Sequence, residues 1–466
     1  MNEEQGQSQP QGGNVKKDTP NIPTGFFIEK CNITLHVGDK KPKDIRDLIT
    51  HFNIKEDLGS NQVEVRLAIG DTVNFIGNAQ LSGDEKIELV VSKSLPDEIS
   101  ALDFVTDKIK LNLRILEIEG FTRLKPGMVT YVLNCVSEYV YESNKKILTD
   151  SFNGSIGTLI KNIATADLKL KDDQLDIQTE GVNIVKGIYP YTKPLQSMRW
   201  LKGYSDHSNS PLFLYQTADG VLRFKSLDKM IEEFKGEKIA YFTYSYRPSI
   251  QVEEKKESPY TYNEERQYIT ALGSTGGYSK FVAEMEGAMA SNTITIDIGK
   301  KNVIPLTEQH NKESSIETVK TFADEEKYIE NYNSRIYYIS KNSTAYLNEQ
   351  PDDENTTTGN KNLMEGLNRS KTLSKLAMLK SHQQSIKVPG DFSIKVGQLL
   401  QLNIHNSYEQ ELDAAPLDNF TSGKYLITSI THDFNKQYTQ VITLVRDGHP
   451  KVEPNGLVTE KVNGWI

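Results

Sequence analysis

Apolar residues alternate with polar ones along many short segments of this 466-residue chain, and no other feature restricts its fold as strongly. A repeat of two residues places every second side chain on one face of a β-strand, so that face packs on a core while the other meets water or a partner. With turn signals between them, these segments predict a small antiparallel barrel or sandwich over residues 25–140, with a short helix near 42–52. The apolar positions of this first region are Cys31, Ile33, Leu35, Val37, Val63, Val65, Leu67, Ile69, Val73, Phe75, Ile109, Leu111, Leu113, Ile115, Val129, Tyr131, Leu133 and Cys135.

A mixed α+β domain is predicted over residues 141–275. The apolar residues between Ile156 and Ile163 have helical spacing, and the hydroxyl of Ser155 is suited to cap the N-terminus of that helix. A second amphipathic helix is expected after Pro194, which fits the first turn of a helix. Further along, Asp219-Gly220 separates two apolar runs and predicts the tight turn of a β-hairpin.

Strand-like alternation returns in residues 276–305 and 376–448, which we interpret as a second barrel. Its last hairpin is expected to pair residues 425–434 with 438–445. An insertion at 306–375 interrupts this barrel and is expected to pack with the α+β domain. The insertion contains a polar loop at 350–362 and an amphipathic helix with Leu363, Leu367, Leu373 and Leu376. The predicted fold class is therefore mainly β with α+β insertions: two tube-like antiparallel β-barrels that form a pseudo-repeat, plus an α+β domain.

The composition limits the classes of function. A net charge of −9 argues against a dedicated nucleic-acid-binding protein, whose binding face is normally basic. The two cysteines, Cys31 and Cys135, are too few for a Cys₄ zinc site. A disulfide between them is not excluded, although synthesis in a reducing compartment is the simpler interpretation. Residues 1–24 are rich in Gln, Gly, Pro and Asn and lack the apolar core of a signal peptide, so we expect a disordered tail. No apolar stretch is long enough for a membrane-spanning helix.

Sequence motifs of catalysis or cofactor binding are missing. The glycine-rich segment 273–280 lacks the Lys-Ser/Thr ending of a phosphate-binding loop, and neither H-E-x-x-H nor G-x-S-x-G occurs. His432 and Asp433 are neighbours on a predicted strand, so their side chains should point to opposite faces. The tyrosine-rich segment 241–246 could stack on sugars or bases, but an interface strand is the preferred interpretation. We predict no enzymatic activity and no cofactor, and no residue is identified as a metal ligand; whether the protein holds a structural metal stays open.

Four segments occur in an order and spacing that extend over residues 25–448. They are the helix at 155–163, the Pro-led helix and hairpin at 191–227, the strand–Pro-Gly–strand–Gly–strand run at 386–402, and the closing hairpin at 423–446. Together they resemble the baseplate hub proteins of contractile-tailed bacteriophages, a superfamily that includes late-control tail proteins and the hub part of type VI secretion spikes.

The resemblance implies a structural hub in which three chains form a ring with pseudo-sixfold symmetry. Such a ring would adapt a hexameric tail tube to a trimeric central spike, and would let DNA pass without specific binding after the spike is released. The implied partners are two further copies of the chain, the tail tube protein, the central spike protein and baseplate wedge or tail-tube initiator proteins. The implied location is the baseplate of the virion, after synthesis in the cytoplasm of the bacterial host.

Three other functions remain open beside the phage hub. One is the hub of a type VI-like or extracellular contractile injection system, which neighbouring genes would distinguish. Another is a tail-associated enzyme that degrades cell wall or capsule, since catalytic carboxylates can lie far apart in sequence. A third is a receptor-binding module that uses the tyrosine-rich strands.

The predicted contacts with other chains lie on two strands and at the C-terminus. Strands 63–76 and 394–404 are the candidates for ring or tube contacts, through Val63, Val65, Leu67, Val73, Phe75, Ile394, Val396, Leu400, Leu402 and Ile404. Residues 449–466 form a predicted tail whose apolar end, Trp465 and Ile466, is expected to anchor on a neighbouring subunit, with a frayed terminus as the alternative.

Overall fold

The computed structural model of the protein describes the chain in segments, and the statements below refer to these. They are 25–35, 41–83, 85–93, 108–182, 184–205, 210–234, 240–244, 267–276, 290–297, 301–309, 319–320, 335–341, 372–379, 382–405, 417–418, 421–447 and 449–450.

The described residues are mainly β-strand and form largely antiparallel sheets, which confirms the predicted mainly-β class. The strands are β1 (Phe26–Thr34), β2 (Lys43–Asp44), β3 (Ile49–Asp57), β4 (Glu64–Asp71), β5 (Lys86–Lys93), β6 (Lys108–Lys125), β7 (Met128–Ser137), β8 (Ser151–Ser155), β9 (Leu175–Ile177), β10 (Ile184–Ile188), β11 (Leu212–Gln216), β12 (Leu222–Ser226), β13 (Ala240–Tyr244), β14 (Ala271–Gly276), β15 (Ala290–Asp297), β16 (Asn302–Gln309), β17 (Val319–Lys320), β18 (Arg335–Lys341), β19 (His382–Pro389), β20 (Leu399–Ile404), β21 (Gly423–Phe434), β22 (Tyr438–Arg446) and β23 (His449–Pro450).

The helices in the described segments are short, and none is long and apolar enough to cross a membrane. They are α1 (Phe75–Ala79), α2 (Glu138–Asn144), α3 (Ile156–Ala166), α4 (Pro194–Gly203), α5 (Leu227–Glu233) and α6 (372–379), with single 3₁₀ turns at Arg46–Leu48 and Asp172–Gln174.

One sheet of 13 strands runs through both strand-rich parts of the chain. Its order is β14-β19-β22-β21-β3-β4-β7-β6-β5-β1-β2, with β20 also paired to β21 and β13 paired to β20. Within this sheet only the β13–β20 pair is parallel among the described strands. The antiparallel pairing of β3 with β21, which we call the seam, joins residues 52–57 to residues 429–434.

Three apolar cores fill the described part of the molecule. The first lies under β1 and β3–β7, and the second under β13 and β19–β22. The third packs α2, α3 and α4 against the small strands β8–β12. Phe392, Phe434 and Tyr438 come from the last part of the chain yet belong to the first core. The domain boundaries given from the sequence stay a prediction.

Several local structures agree with the chemistry of their sequences. The Ser155 hydroxyl accepts a hydrogen bond from the Thr158 amide at 3.2 Å and so caps α3. Pro194 is the first residue of α4. Gly220 takes a positive φ of 82° in the turn between β11 and β12, and the last hairpin turns at 435–437 between β21 and β22.

The structure corrects three predicted elements. The helix near 42–52 is only a 3₁₀ turn, Arg46–Leu48, because the following residues pair as β3. The strand through 63–76 ends at Asp71, whose carboxylate accepts hydrogen bonds from the amides of Val73, Phe75 and Ile76 and so turns the chain into α1. The strand predicted at 394–404 begins at Leu399, after two turns.

Other predicted features lie outside the described residues. They are the tail at 1–24, Val37, the loop at 350–362, Leu363, Leu367, and the C-terminal residues Trp465 and Ile466.

A stack of aromatic rings crosses the seam. Phe52 of β3 lies opposite Phe434 of β21 with 4.3 Å between ring centroids, and Phe434 lies opposite Tyr438 of β22 with 4.4 Å. Both pairs are nearly parallel. Because cross-strand aromatic pairs stabilise a sheet and fix its register, this stack holds three strands in one alignment.

A buried polar chain lies beside the aromatic stack. His432 Nε2 is 2.7 Å from Glu56 Oε1 across the seam, and His432 Nδ1 is 2.8 Å from the Tyr438 hydroxyl. Burial raises the pKa of Tyr438 well above its usual value, so its hydroxyl stays protonated. Gln440 Nε2 donates to Tyr438 at 3.1 Å and to the Asp391 carbonyl at 2.8 Å. The polar chain therefore continues from β3 through β21 and β22 to the turn after β19.

We predict that removing one partner of the Glu56–His432 pair destabilises the whole fold. Glu56→Ala should lower the free energy of unfolding by about 1–3 kcal/mol, because His432 then keeps a buried polar group without its partner. The surface pair Lys30–Glu88 provides the control, since Glu88→Ala should cost less than about 1 kcal/mol. Urea unfolding followed by circular dichroism measures both values, and equal values for the two variants would contradict the role of the seam.

Gly390 permits the backbone to approach the Tyr438 ring, and we predict that a methyl group there is not tolerated. A Cβ at this position would lie 2.2 Å from the ring, which cannot retreat because Phe434 and Phe392 pack on it at 4.4 and 4.8 Å. Gly390→Ala should destabilise by about 1–3 kcal/mol or more. Gly203→Ala, where no atom lies within 4 Å, should be neutral or slightly stabilising in the same urea titration.

Candidate assembly interface

Strand β6 extends beyond the end of its neighbour β5. Its pairing with β5 ends at Arg114, and one further hydrogen bond joins the Ile115 amide to the Glu85 carbonyl at 3.0 Å. Its pairing with β7 continues to Lys125. Residues 116–125 therefore form an edge whose backbone pairs with no strand on the β5 side among the described residues. We call residues 116–130, the far end of the β6–β7 hairpin, the arm.

The arm exposes large apolar side chains. Leu116, Phe121 and Leu124 are 62%, 54% and 60% exposed, whereas Ile109, Leu111, Leu113 and Ile115 earlier in the same strand are buried. Ile118 is partly buried against the first core. A long strand edge with exposed apolar side chains readily pairs with another chain, and natural proteins seldom leave one uncovered. The arm is therefore the strongest candidate for an intermolecular contact in the described part of the structure.

Irregular pairing gives the arm its shape. The β6–β7 register shifts three times, between Ile115 and Glu117, between Glu119 and Thr122, and between Arg123 and Lys125. Bulges of this kind bend a strand and increase its twist, which limits the partners that can pair with its edge. Arg66 of β4 also holds Glu119 at 3.3 Å.

The sequence contained a signal for this change that the period-two reading missed. The buried set Ile109, Leu111, Leu113 and Ile115 is followed directly by Leu116 and then by Ile118. The alternation of apolar and polar residues thus shifts by one residue at the first bulge. From there, Leu116 and Ile118 stand at even-numbered positions instead of odd-numbered ones.

Eight of the ten residues predicted at ring or tube contacts lie in cores of this chain. They are Val63, Val65, Leu67, Ile394, Val396, Leu400, Leu402 and Ile404. Strand β4 is also paired on both sides, by β3 and β7, and β20 by β13 and β21. A period of two shows that one face is buried but does not show what buries it, and here the chain itself does. Contacts with other chains through these strands stay a prediction, and they would have to use the side chains that face outward.

The remaining two predicted contact residues lie at the surface near α1. Val73 is exposed in the turn after β4, and Phe75 is half-buried against the first core. The candidate anchor at Trp465 and Ile466 lies outside the described residues.

The described residues hold no cluster of three or more His, Cys, Asp or Glu side chains that could bind a metal ion. Cys31 and Cys135 are both free and buried. Burial raises the pKa of the Cys31 thiol to about 12 and that of Cys135 further, so neither forms a thiolate near neutral pH. His432 contacts Glu56, Tyr438 and Gln440 inside the seam, and its side chain is buried.

Comparisons with known proteins relate the fold to tail proteins. No family model matches the chain, and no curated protein matches it in sequence. The structure is similar to the tail protein from Neisseria meningitidis MC58, with a TM-score of 0.52 and 10% identity over 91% of this chain and 98% of that chain. At this identity the match shows a shared fold.

Two other structural neighbours have lower scores, which carry no weight here. The 43 kDa tail protein of prophage MuSo2 from Shewanella oneidensis has a TM-score of 0.46 and 10% identity over 90% of this chain and 99% of that chain. An Escherichia coli component of the type VI secretion system has a TM-score of 0.37 and 8% identity over 92% of this chain and 79% of that chain.

We predict that the apolar side chains of the arm contribute little to the stability of the single chain. Replacing Leu116, Phe121 and Leu124 together with Ser should change the free energy of unfolding by less than about 1.5 kcal/mol, because exposed positions cost about 0.5 kcal/mol each or less. Leu113→Ala, in the buried part of the same strand, should cost about 2–5 kcal/mol. If urea unfolding showed similar losses for both variants, the arm would belong to the core and not to a free surface.

Proposed function

We propose that this protein is a structural subunit of a contractile phage-type tail and forms the hub of its baseplate as a ring of three copies. The fold shared with a tail protein supports the structural role. The edge of β6 at 116–125, which no described strand covers and which carries exposed apolar side chains, is the observation that carries the assembly, since such an edge readily pairs with another chain.

A ring with head-to-tail contacts needs two different surfaces on each subunit, and the first surface of one subunit binds the second surface of the next. The edge at 116–125 is the first of these. The second is proposed at the other end of the long sheet, where β14 pairs only with β19 among the described strands. Pairing the arm of one copy with such an end strand of the next copy is heterologous, so it closes into a ring when each step rotates by a third of a turn.

The proposed ring gives each partner a distinct place. Two strand-rich parts in each of three chains would present six similar units to the hexameric tail tube, while the threefold axis would match the trimeric spike. Baseplate wedge or tube-initiator proteins would surround the ring. DNA would pass through the lumen without specific binding, and the net charge of −9 favours this because like charges repel. The role is structural and not catalytic, and its place is the tail of the virion.

The proposal predicts a trimer in solution that depends on the arm. Light scattering after size-exclusion chromatography should give three times the chain mass of 52.6 kDa, and electron microscopy should show threefold rings. The triple Ser variant at Leu116, Phe121 and Leu124 should shift the mass toward the monomer. Ile188→Ser, which removes an exposed apolar side chain far along the chain from the arm, should leave the trimer intact.

A chain that remains monomeric, even when co-purified with the spike protein of its own gene cluster, would contradict the proposed hub. A trimer that the arm variant does not weaken would keep the hub but move its contact to another surface.

A further inference from the structure

A cavity of about 300 Å³ lies between the turn after β3 and the C-terminal end of α4. Gly59, Arg199, Lys202, Gly203 and Leu214 line it. Arg199 and Lys202 are three residues apart on one helix, so their side chains project on the same side of α4. The cavity is therefore bordered by two positive charges.

Neither cation has a carboxylate partner among the described residues. Several other cations of the same α+β part have a carboxylate partner: Lys145 and Lys169 pair with Glu142, each at 2.7 Å, and Arg223 pairs with Asp219 at 2.9 Å. By contrast, the Arg199 guanidinium donates only to the Asn61 side-chain oxygen, and the Lys202 ammonium lies 5.6 Å from the centre of the Phe213 ring.

No carboxylate among the described residues compensates the positive charge at this cavity. Burial lowers the pKa of Lys202, and the nearby charge of Arg199 lowers it further. An anion placed between the two side chains would have the opposite effect and would favour the charged form of Lys202.

A second unsatisfied group lies next to Arg199. Asn61 is only 1% exposed, and its side-chain nitrogen has no hydrogen-bond partner, although its side-chain oxygen accepts from Arg199 and its carbonyl from the Tyr139 hydroxyl. A buried amide donor without a partner is costly, and such groups in native structures often mark a site that a ligand or water completes.

A second cavity of about 290 Å³ adjoins the first, and Gly59 lines both. The second cavity is lined by Lys55, Asp57, Gly59, Ser60, Gln62 and Glu64. The Asp57 carboxylate accepts from the Gly59 amide at 2.8 Å. We call the two adjoining cavities together the Gly59 groove. It has a positive end at Arg199 and Lys202 and a mixed end, where the carboxylates of Asp57 and Glu64 outnumber the single cation, Lys55.

We propose that the Gly59 groove docks an extended segment of a partner protein, whose Asp or Glu side chain binds between Arg199 and Lys202. The planar guanidinium and the ammonium suit a carboxylate, and the first can bind it through two parallel hydrogen bonds. The carboxylates at the other end repel a polymer of phosphates but can accept hydrogen bonds from a peptide backbone or from a basic side chain. This charge pattern favours an acidic peptide over a nucleic acid, and the site does not require the proposed ring.

Binding of short peptides to the full chain tests the proposal. The probe is a fluorescently labelled hexapeptide with adjacent Asp and Glu followed by Lys, and its control carries Asn and Gln in place of the two acids. Fluorescence anisotropy should show that the acidic peptide binds at least tenfold more tightly than the control. Arg199→Gln and Lys202→Met should each weaken that binding at least tenfold, whereas Lys161→Met, which removes an exposed lysine of α3 paired with Asp172, should not.

A tethered carboxylate provides an internal competitor. Gly203 lines the positive end and has open space where a side chain would begin, so Gly203→Glu should place an acid beside the two cations and abolish peptide binding, while Gly203→Gln should weaken it far less. Thermal unfolding of each variant confirms that it is folded.

Two results would overturn the proposal. Binding that survives both cation substitutions would place the peptide elsewhere. Displacement of the peptide by an equal concentration of inorganic phosphate would show a simple anion site that does not recognise a peptide.

Discussion

The antiparallel pairing of β3 with β21 is the interaction on which the rest of the structure depends. It joins residues 376 positions apart, Glu56 and His432, at the centre of a 13-stranded sheet. Closing so long a loop has an entropic cost, which grows only slowly with loop length. Contacts made at the seam itself must offset this cost. The aromatic stack of Phe52, Phe434 and Tyr438 supplies buried area and register, and the Glu56–His432 hydrogen bond adds a polar contact that a shifted register would leave unpaired.

The seam also makes the two strand-rich parts depend on each other. The first core contains Phe392, Phe434 and Tyr438, so residues 25–140 alone lack part of the apolar surface that covers their own strands. The α+β part is fastened to the first strand-rich part, because the Gln216 side-chain oxygen accepts from the Val63 amide at 3.0 Å and from the Tyr139 hydroxyl at 2.9 Å. We therefore expect these parts to unfold together, and substitutions at the seam to affect all three cores.

The features of this fold that depend on local chemistry could be predicted from the sequence. The features that depend on contacts between distant residues could not. The Ser155 cap, the helix start at Pro194 and the turn at Gly220 each depend on neighbours within a few residues, and all three are present. The period of two identified strands such as β4 and β6 and the buried faces on them. It could not show that Val65 and Leu400 are covered by the same chain, since that depends on which strands meet in space. Glu56 and His432 were beyond prediction for the same reason, because nothing near either residue in sequence indicates the other.

The seam bears on the proposed ring through geometry. In a ring of three chains with six similar units, the junction between the two strand-rich parts of one chain has to turn the sheet by about the same angle as the junction between neighbouring chains. The first angle is fixed within the chain by β3, β21 and the rings stacked across them. The second would be set by the arm, whose three bulges give β6 a defined bend. Closure of the proposed ring thus requires both a rigid junction inside each chain and a defined bend at the contact between chains. Substitutions that loosen the seam should therefore disturb ring closure, even though the seam contacts no other subunit in the proposed arrangement.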